Sequence, residues 1–189
     1  MRSPPRGQVL LFAVAFEGGL VGLWLLLGRL LGRPPSTQGV SEGAAFLTGC
    51  LATLPLLPLL FGVSRSSLAP FRRLMNHIDG VLVPYLANLA VSDFALIAIL
   101  AGIGEEGIFR GILQGALSDI TSPVMALTVA SVVFGLLHFI TPTYALLAGI
   151  LGFYLGWLYL VSGNLVVPIV VHALYDFIAL LYLTRWRRR

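Results

Sequence analysis

Gly104-Glu105-Glu106-Gly107-Ile108-Phe109-Arg110-Gly111 sets two carboxylates and a guanidinium inside a sequence that otherwise reads as lipid-soluble. An ionisable side chain at the centre of a bilayer helix costs roughly 2.5–3.5 kcal/mol on insertion scales. Three of them together approach the whole net stability of a domain, about 5–15 kcal/mol. They must therefore pair with one another or face a wet cavity, and the chain has to supply the rest of that environment.

Its totals say what kind of chain this is. Of 189 residues, 58% are hydrophobic and only 11% are charged, whereas a soluble domain is usually about one quarter charged. The composition is that of an integral membrane protein embedded in a lipid bilayer. The net charge is +4, and every basic residue is Arg. These arginines sit at the ends of apolar runs, as membrane-flanking anchors do, so no nucleic-acid partner is expected. Cys50 is the single cysteine, which leaves no disulfide framework or cysteine metal cluster.

Moving outward, Gln8–Leu31 reads as a first transmembrane helix. Ala13-Val14-Ala15 resembles a signal-peptide cleavage site, but the apolar run continues well past it. Glu17, within this helix, fits a polar interior and an interfacial position equally well. Gly32–Glu42 is a Pro/Ser/Gly loop. Gly43–Val63 is a second span, with Pro55 and Pro58 expected to kink it. From Ser64 to Ala90, Arg65, Arg72, Arg73, His77 and Asp79 alternate with apolar residues, the pattern of an amphipathic helix on the membrane surface. His77 is read there as a solvated interfacial residue. Spans at Val91–Leu117, Pro123–Ile140, Tyr144–Val161 and Asn164–Leu183 complete the expectation. The fold class is thus all-α, a polytopic membrane helix bundle of about six transmembrane helices plus a surface amphipathic helix. Residues 1–189 form a single integral membrane domain. The arginines of the N-terminus, of Arg65–Arg73 and of the tail predict both termini in the cytoplasm, with Arg29 and Arg33 as a counter-signal. Gly111-xxx-Gly115 and Gly152-xxx-Gly156 are small-residue pairs that let helices approach closely.

Few polar groups remain in the second half of the chain: Glu105, Glu106 and Arg110, then His138, then His172 and Asp176. Glu106 and Arg110 are four apart on one helix face and can form a buried ion pair. Glu105 is rotated by about 100° from Glu106 and is free to point toward a cavity. His172 and Asp176, also four apart, present two ligand-type side chains on one face. Glu, His, His and Asp from three helices make either a hydrolytic site or a proton or ion pathway. Hydrolysis would use a carboxylate and a histidine to activate water. A carboxylate and two histidines would equally suffice to bind a catalytic zinc.

In order, Glu105-Glu106-Gly-Ile-Phe-Arg110, Phe134-Gly-Leu-Leu-His138 and His172-Ala-Leu-Tyr-Asp176 resemble the motifs of the CPBP family of intramembrane proteases. That family groups CAAX prenyl endopeptidases with bacteriocin-processing and self-immunity proteins (the Abi group). Phe109-Arg110-Gly111 and Gly156-Trp-Leu-Tyr add to the likeness, which covers about Val91 to Leu183 and makes residues 91–183 the expected catalytic core. The resemblance implies an intramembrane endopeptidase acting on a peptide or protein, prenylated in one branch of the family. A bacterial cytoplasmic membrane is its expected location. By position, Glu105 and His138 would activate the water, Glu106 and Arg110 would brace the helix, and His172 with residue 176 would stabilise the oxyanion. A second view of the family makes Glu105, His138 and His172 ligands of a zinc ion, while a metal-free glutamate mechanism is the alternative. Asp176 departs from the Asn of prenyl-protease members. An ionised Asp cannot donate to an oxyanion, so it would orient and charge His172 or ligate a metal, which tilts the expectation toward metal. A transporter with a proton relay, and a non-catalytic immunity or scaffold protein, are the other readings. The lack of evident inverted repeats argues against the first, and the intact motif set argues against the second.

Overall fold

The computed structural model describes residues 4–33 and 41–187. Seven helices form the chain among them: α1 Arg6–Leu30, α2 Glu42–Arg65, α3 Ala69–Leu86, α4 Val91–Ile120, α5 Pro123–Leu137, α6 Pro142–Ser162 and α7 Val166–Trp186. No strand occurs among the described residues. The all-helical expectation holds, and the long apolar helices make this an integral membrane protein. The part of the tail beyond Arg187 and most of the loop from Gly32 to Glu42 lie outside the described residues.

By length and composition the helices account for four or five of the six expected spans. Four helices (α1, α2, α6 and α7) are long and apolar enough to cross a bilayer, and the total reaches five if α3 and α4 count as one broken crossing. α5 has only 15 residues, or about 22 Å at 1.5 Å per residue, short of a hydrocarbon core about 30 Å thick. It ends at Leu137 rather than Ile140, and His138 caps it with non-helical backbone angles. α3 and α4 meet at a 111° bend. The amphipathic segment therefore turns sharply from the helix that carries the charged motif, and its apolar face, through Leu74, Met75 and Ile78, packs on Tyr182 and Leu183 of α7.

Each helix begins and ends for a local reason. Ser122 and Thr141 cap α5 and α6 by accepting hydrogen bonds from the backbone N–H of Met125 and Tyr144, with a proline at the first helical position of both. Gly163, at φ 65°, closes α6 in the left-handed conformation that glycine adopts without a steric penalty. Within α2, a turn at Leu54–Pro55 interrupts the helix, as expected of Pro55. Pro58 causes no second break. It falls in the first turn after the interruption, where a missing N–H leaves no hydrogen bond unmade.

α4 is the central element, packed against α1, α5 and α7. It runs parallel to α1, tied at one end by Arg6, which donates from Nε and Nη2 to the two oxygens of Asp93 at 2.7 Å each, and at the other by the ion pair of Arg33 with Asp119. Close approach between these two helices depends on glycine. A Cβ at Gly107 would come within 2.2 Å of the Trp24 ring, and one at Gly104 within 2.9 Å of Leu20.

Candidate active site

From Gly107 to Gln114 the central helix is wound as a π-helix, a local over-expansion often found where a helix carries function. Glu105 and Glu106 sit immediately before it. Glu106 is fully buried and Arg110 is 1% exposed. Arg110 Nη1 donates to Glu106 Oε1 at 3.0 Å, and Arg110 Nε lies 3.0 Å from Oε2. Arg110 Nη2 donates to the Gly152 carbonyl at 2.8 Å, and one turn on Gln114 Nε2 donates to the Gly156 carbonyl at 3.1 Å. Two polar side chains four apart on α4 thus engage two carbonyls four apart on α6. The absence of a side chain at Gly156 admits Gln114, since a Cβ there would meet Gln114 Oε1 at 2.6 Å, and that at Gly152 makes room for Phe134, whose ring a Cβ would meet at 3.2 Å. In the sequence the glycine spacing signalled close packing; Gln114 carried no such signal and was missed.

Phe134 organises the remaining groups. Its ring stacks on His138 with centroids 4.3 Å apart, meets His172 edge-on at 6.1 Å, and lies 4.8 Å beneath the Arg110 guanidinium carbon. His138 Nδ1 is 2.8 Å from the Phe134 carbonyl. A carbonyl only accepts, so Nδ1 carries the hydrogen, and the lone pair of the neutral ring is on Nε2. That nitrogen faces Glu105 Oε2 at 3.4 Å, and this oxygen is buried with no hydrogen-bond partner among the described residues. Two acceptors facing one another at this distance suit a shared proton, or a water that bridges them from the side.

His172 lies across the cluster, 3% exposed. Its Nδ1–H donates to Glu106 Oε1 at 2.7 Å, and its Nε2 lies 3.4 Å from Asp176 Oδ2. Glu106 therefore holds Arg110 and His172 together, linking α4 to α7 as well as to itself. All of Glu105, Glu106, Arg110, His138, His172 and Asp176 fall within one connected cluster. The zinc set is another matter. Among the described residues no three His, Cys, Asp or Glu side chains group closely enough to hold one metal ion, and His172 has one ring nitrogen on Glu106 and the other on Asp176. The triad Glu105, His138 and His172 does not fit a metal in this arrangement.

Glu17, unassigned from the sequence, faces inward. α1 passes Gly104 so closely that the Glu17 carbonyl would lie 3.2 Å from a Cβ there. Its carboxylate is within electrostatic reach of Glu105, Asp176, His172 and His138. A cavity of about 390 Å³ opens on His138, His172 and Asp176. Its walls are apolar, with Leu59, Leu60, Met75, Leu147 and Leu151 among them, and Tyr144 reaches in beside His138.

Residues 87–178 match the family model described as Type II CAAX prenyl endopeptidase Rce1-like. No curated protein and no solved structure matches the chain. The matched residues take in all three motifs and end two positions after Asp176. The segment that builds this site thus resembles the Rce1-like type II CAAX prenyl endopeptidases, in keeping with the resemblance to the CPBP group drawn from its motifs.

Proposed function

We propose that this protein is an intramembrane endopeptidase that hydrolyses a peptide bond near the membrane, with water activated by Glu105 and His138. The observation that carries the reading is the pair itself: Glu105 Oε2 and His138 Nε2 are 3.4 Å apart, the nitrogen presents a lone pair, and the oxygen has no hydrogen-bond partner among the described residues. A water hydrogen-bonded to both from the side would lose a proton to the pair as its oxygen attacks the scissile carbonyl. The electron pair of the C=O bond moves onto oxygen. When the C–N bond breaks, the pair returns the proton to the departing amine. His172, held by Glu106 and flanked by Asp176, supplies positive charge toward the oxyanion when protonated. Arg110 and Glu106 brace the helix that aims Glu105. The apolar cavity beside the pair favours a substrate with a hydrophobic chain, and a prenylated C-terminal peptide is the member of that class the family suggests.

The test is cleavage of an internally quenched peptide by purified protein in detergent, with farnesylated and unmodified forms compared. Glu105→Gln, His138→Ala and His172→Ala should each lower kcat by roughly 10²–10⁴-fold, the range of general acid–base contributions. Equal activity in the wild type and Glu105→Gln would end this assignment.

A further inference from the structure

Counting donors exposes a gap in the site. The oxyanion that forms during amide cleavage needs N–H or O–H groups aimed at it. With His172 neutral, Nδ1 spends its hydrogen on Glu106, so Nε2 is a bare acceptor. Asp176, ionised, donates nothing. His138 spends its Nδ1 hydrogen on the Phe134 carbonyl and turns Nε2 toward Glu105. Arg110 is committed to Glu106 and to Gly152, behind the Phe134 ring. The groups so far assigned to the reaction therefore offer an oxyanion no donor besides Nε2–H of a protonated His172, which Asp176 Oδ2 faces at 3.4 Å.

The cavity wall supplies hydroxyls. Tyr154 is already spent, donating to the Ala52 carbonyl at 2.8 Å. Tyr144, in the first turn of α6, lines the same cavity as His138, His172 and Asp176, with its ring centroid 6.4 Å from that of His138. Its backbone N–H is fixed by the Thr141 cap, which sets where the side chain leaves the helix. Among the described residues nothing takes up its hydroxyl. Tyr175, adjoining Asp176 in the chain, lines the cavity too, but it lacks the ring contact with His138.

We propose that Tyr144 is a further catalytic residue whose phenolic O–H donates to the oxyanion, in the role that Asp176 cannot fill. This rests on the endopeptidase reading above. No proton is transferred in the step: the water proton stays with the Glu105–His138 pair and goes on to the amine. The Tyr144 O–H strengthens its hydrogen bond as the carbonyl oxygen gains charge.

Tyr144→Phe removes one oxygen and keeps the ring. The wild type, Tyr144→Phe, Tyr175→Phe and Glu105→Gln are compared on the same quenched farnesylated peptide, with thermal unfolding of each as a check on folding. A peptidyl phosphinate, which carries the tetrahedral charge, serves as a second probe. Tyr144→Phe should lower kcat by about 10²–10³-fold, as loss of one oxyanion donor does, with KM unchanged. The phosphinate should lose affinity by a similar factor, and Tyr175→Phe should cleave like the wild type. A structural defect would instead lower the unfolding temperature and leave the ratio of phosphinate to substrate affinity intact. Tyr144→Phe cleaving within threefold of the wild type, while Glu105→Gln is inactive, overturns the role of Tyr144 alone. A wild type no more active than Glu105→Gln removes the endopeptidase reading and Tyr144's role with it.

Discussion

Arg110 is the side chain whose loss the structure prices most clearly. Replacing it with Met keeps the apolar stem over Phe134 but withdraws both contacts to Glu106, at 3.0 Å each, and the 2.8 Å hydrogen bond to the Gly152 carbonyl. Glu106 is then a fully buried carboxylate with only His172 as partner. Breaking a buried pair from one side typically costs about 3–5 kcal/mol, because the surviving charge is left uncompensated. An ordinary interhelical hydrogen bond within a membrane is worth only about 0.6 kcal/mol on average. The ionic effect should dominate, so Arg110→Met is expected to destabilise by at least about 3 kcal/mol. Glu106→Gln strands Arg110 by the same logic. The double variant strands no charge and should fall short of the sum of the singles by about 2–3 kcal/mol. Reversible unfolding in mixed micelles, followed through the fluorescence of Trp24 at the α1–α4 contact, gives all four stabilities. Singles that each cost under about 1 kcal/mol and simply add would mean that mutual pairing is not what makes these charges tolerable.

Other expectations are simpler. Gly135→Ala would set a Cβ 2.6 Å from the Ala145 carbonyl, a backbone atom that cannot step aside, whereas the nearest atom at Gly149 is 3.6 Å away. The first should lower stability by about 1–3 kcal/mol and the second should be close to neutral, as read by unfolding temperature. Asp93→Ala should cost more than Asp93→Asn, by about 1 kcal/mol, because Asn can still accept from the Ala90 N–H at the start of α4. The Arg6 side of that pair is 54% exposed, so solvent screens it and it adds little; Arg6→Met measures it. Dialysis against a strong chelator should leave peptide cleavage unchanged, and metal analysis of the purified protein checks the result independently. Loss of cleavage restored by zinc would show that the site rearranges to bind it.

Much of this was legible in the chain. Glu106 and Arg110 at a spacing of four, Glu105 one position off that face, and the glycine pair at 152 and 156 all follow from helical periodicity, which acts within one element. The end of the fourth apolar run was not legible because hydropathy does not register where a helix stops: α5 ends at Leu137, where His138 bonds back to the Phe134 carbonyl instead of prolonging the helix. Pro58 misled because the cost of a proline depends on its distance from the nearest helix start, which Pro55 sets.

By itself the sequence determined that this is a membrane bundle, which residues are ionisable inside it, and which of them share a helix face, since composition and a 3.6-residue period are local properties. Only the tertiary structure decided which partner each ionisable group takes. Glu106 serves both Arg110 and His172, Gln114 reaches α6, Glu17 faces the cluster from α1, and Tyr144 arrives beside His138 from a helix that carries none of the three polar motifs. The reason is geometric. Those pairings cross between helices, and what brings the helices close enough is the absence of a side chain at Gly104, Gly107, Gly152 and Gly156. Spacing along a single helix can suggest that absence but cannot say which helix will fill it.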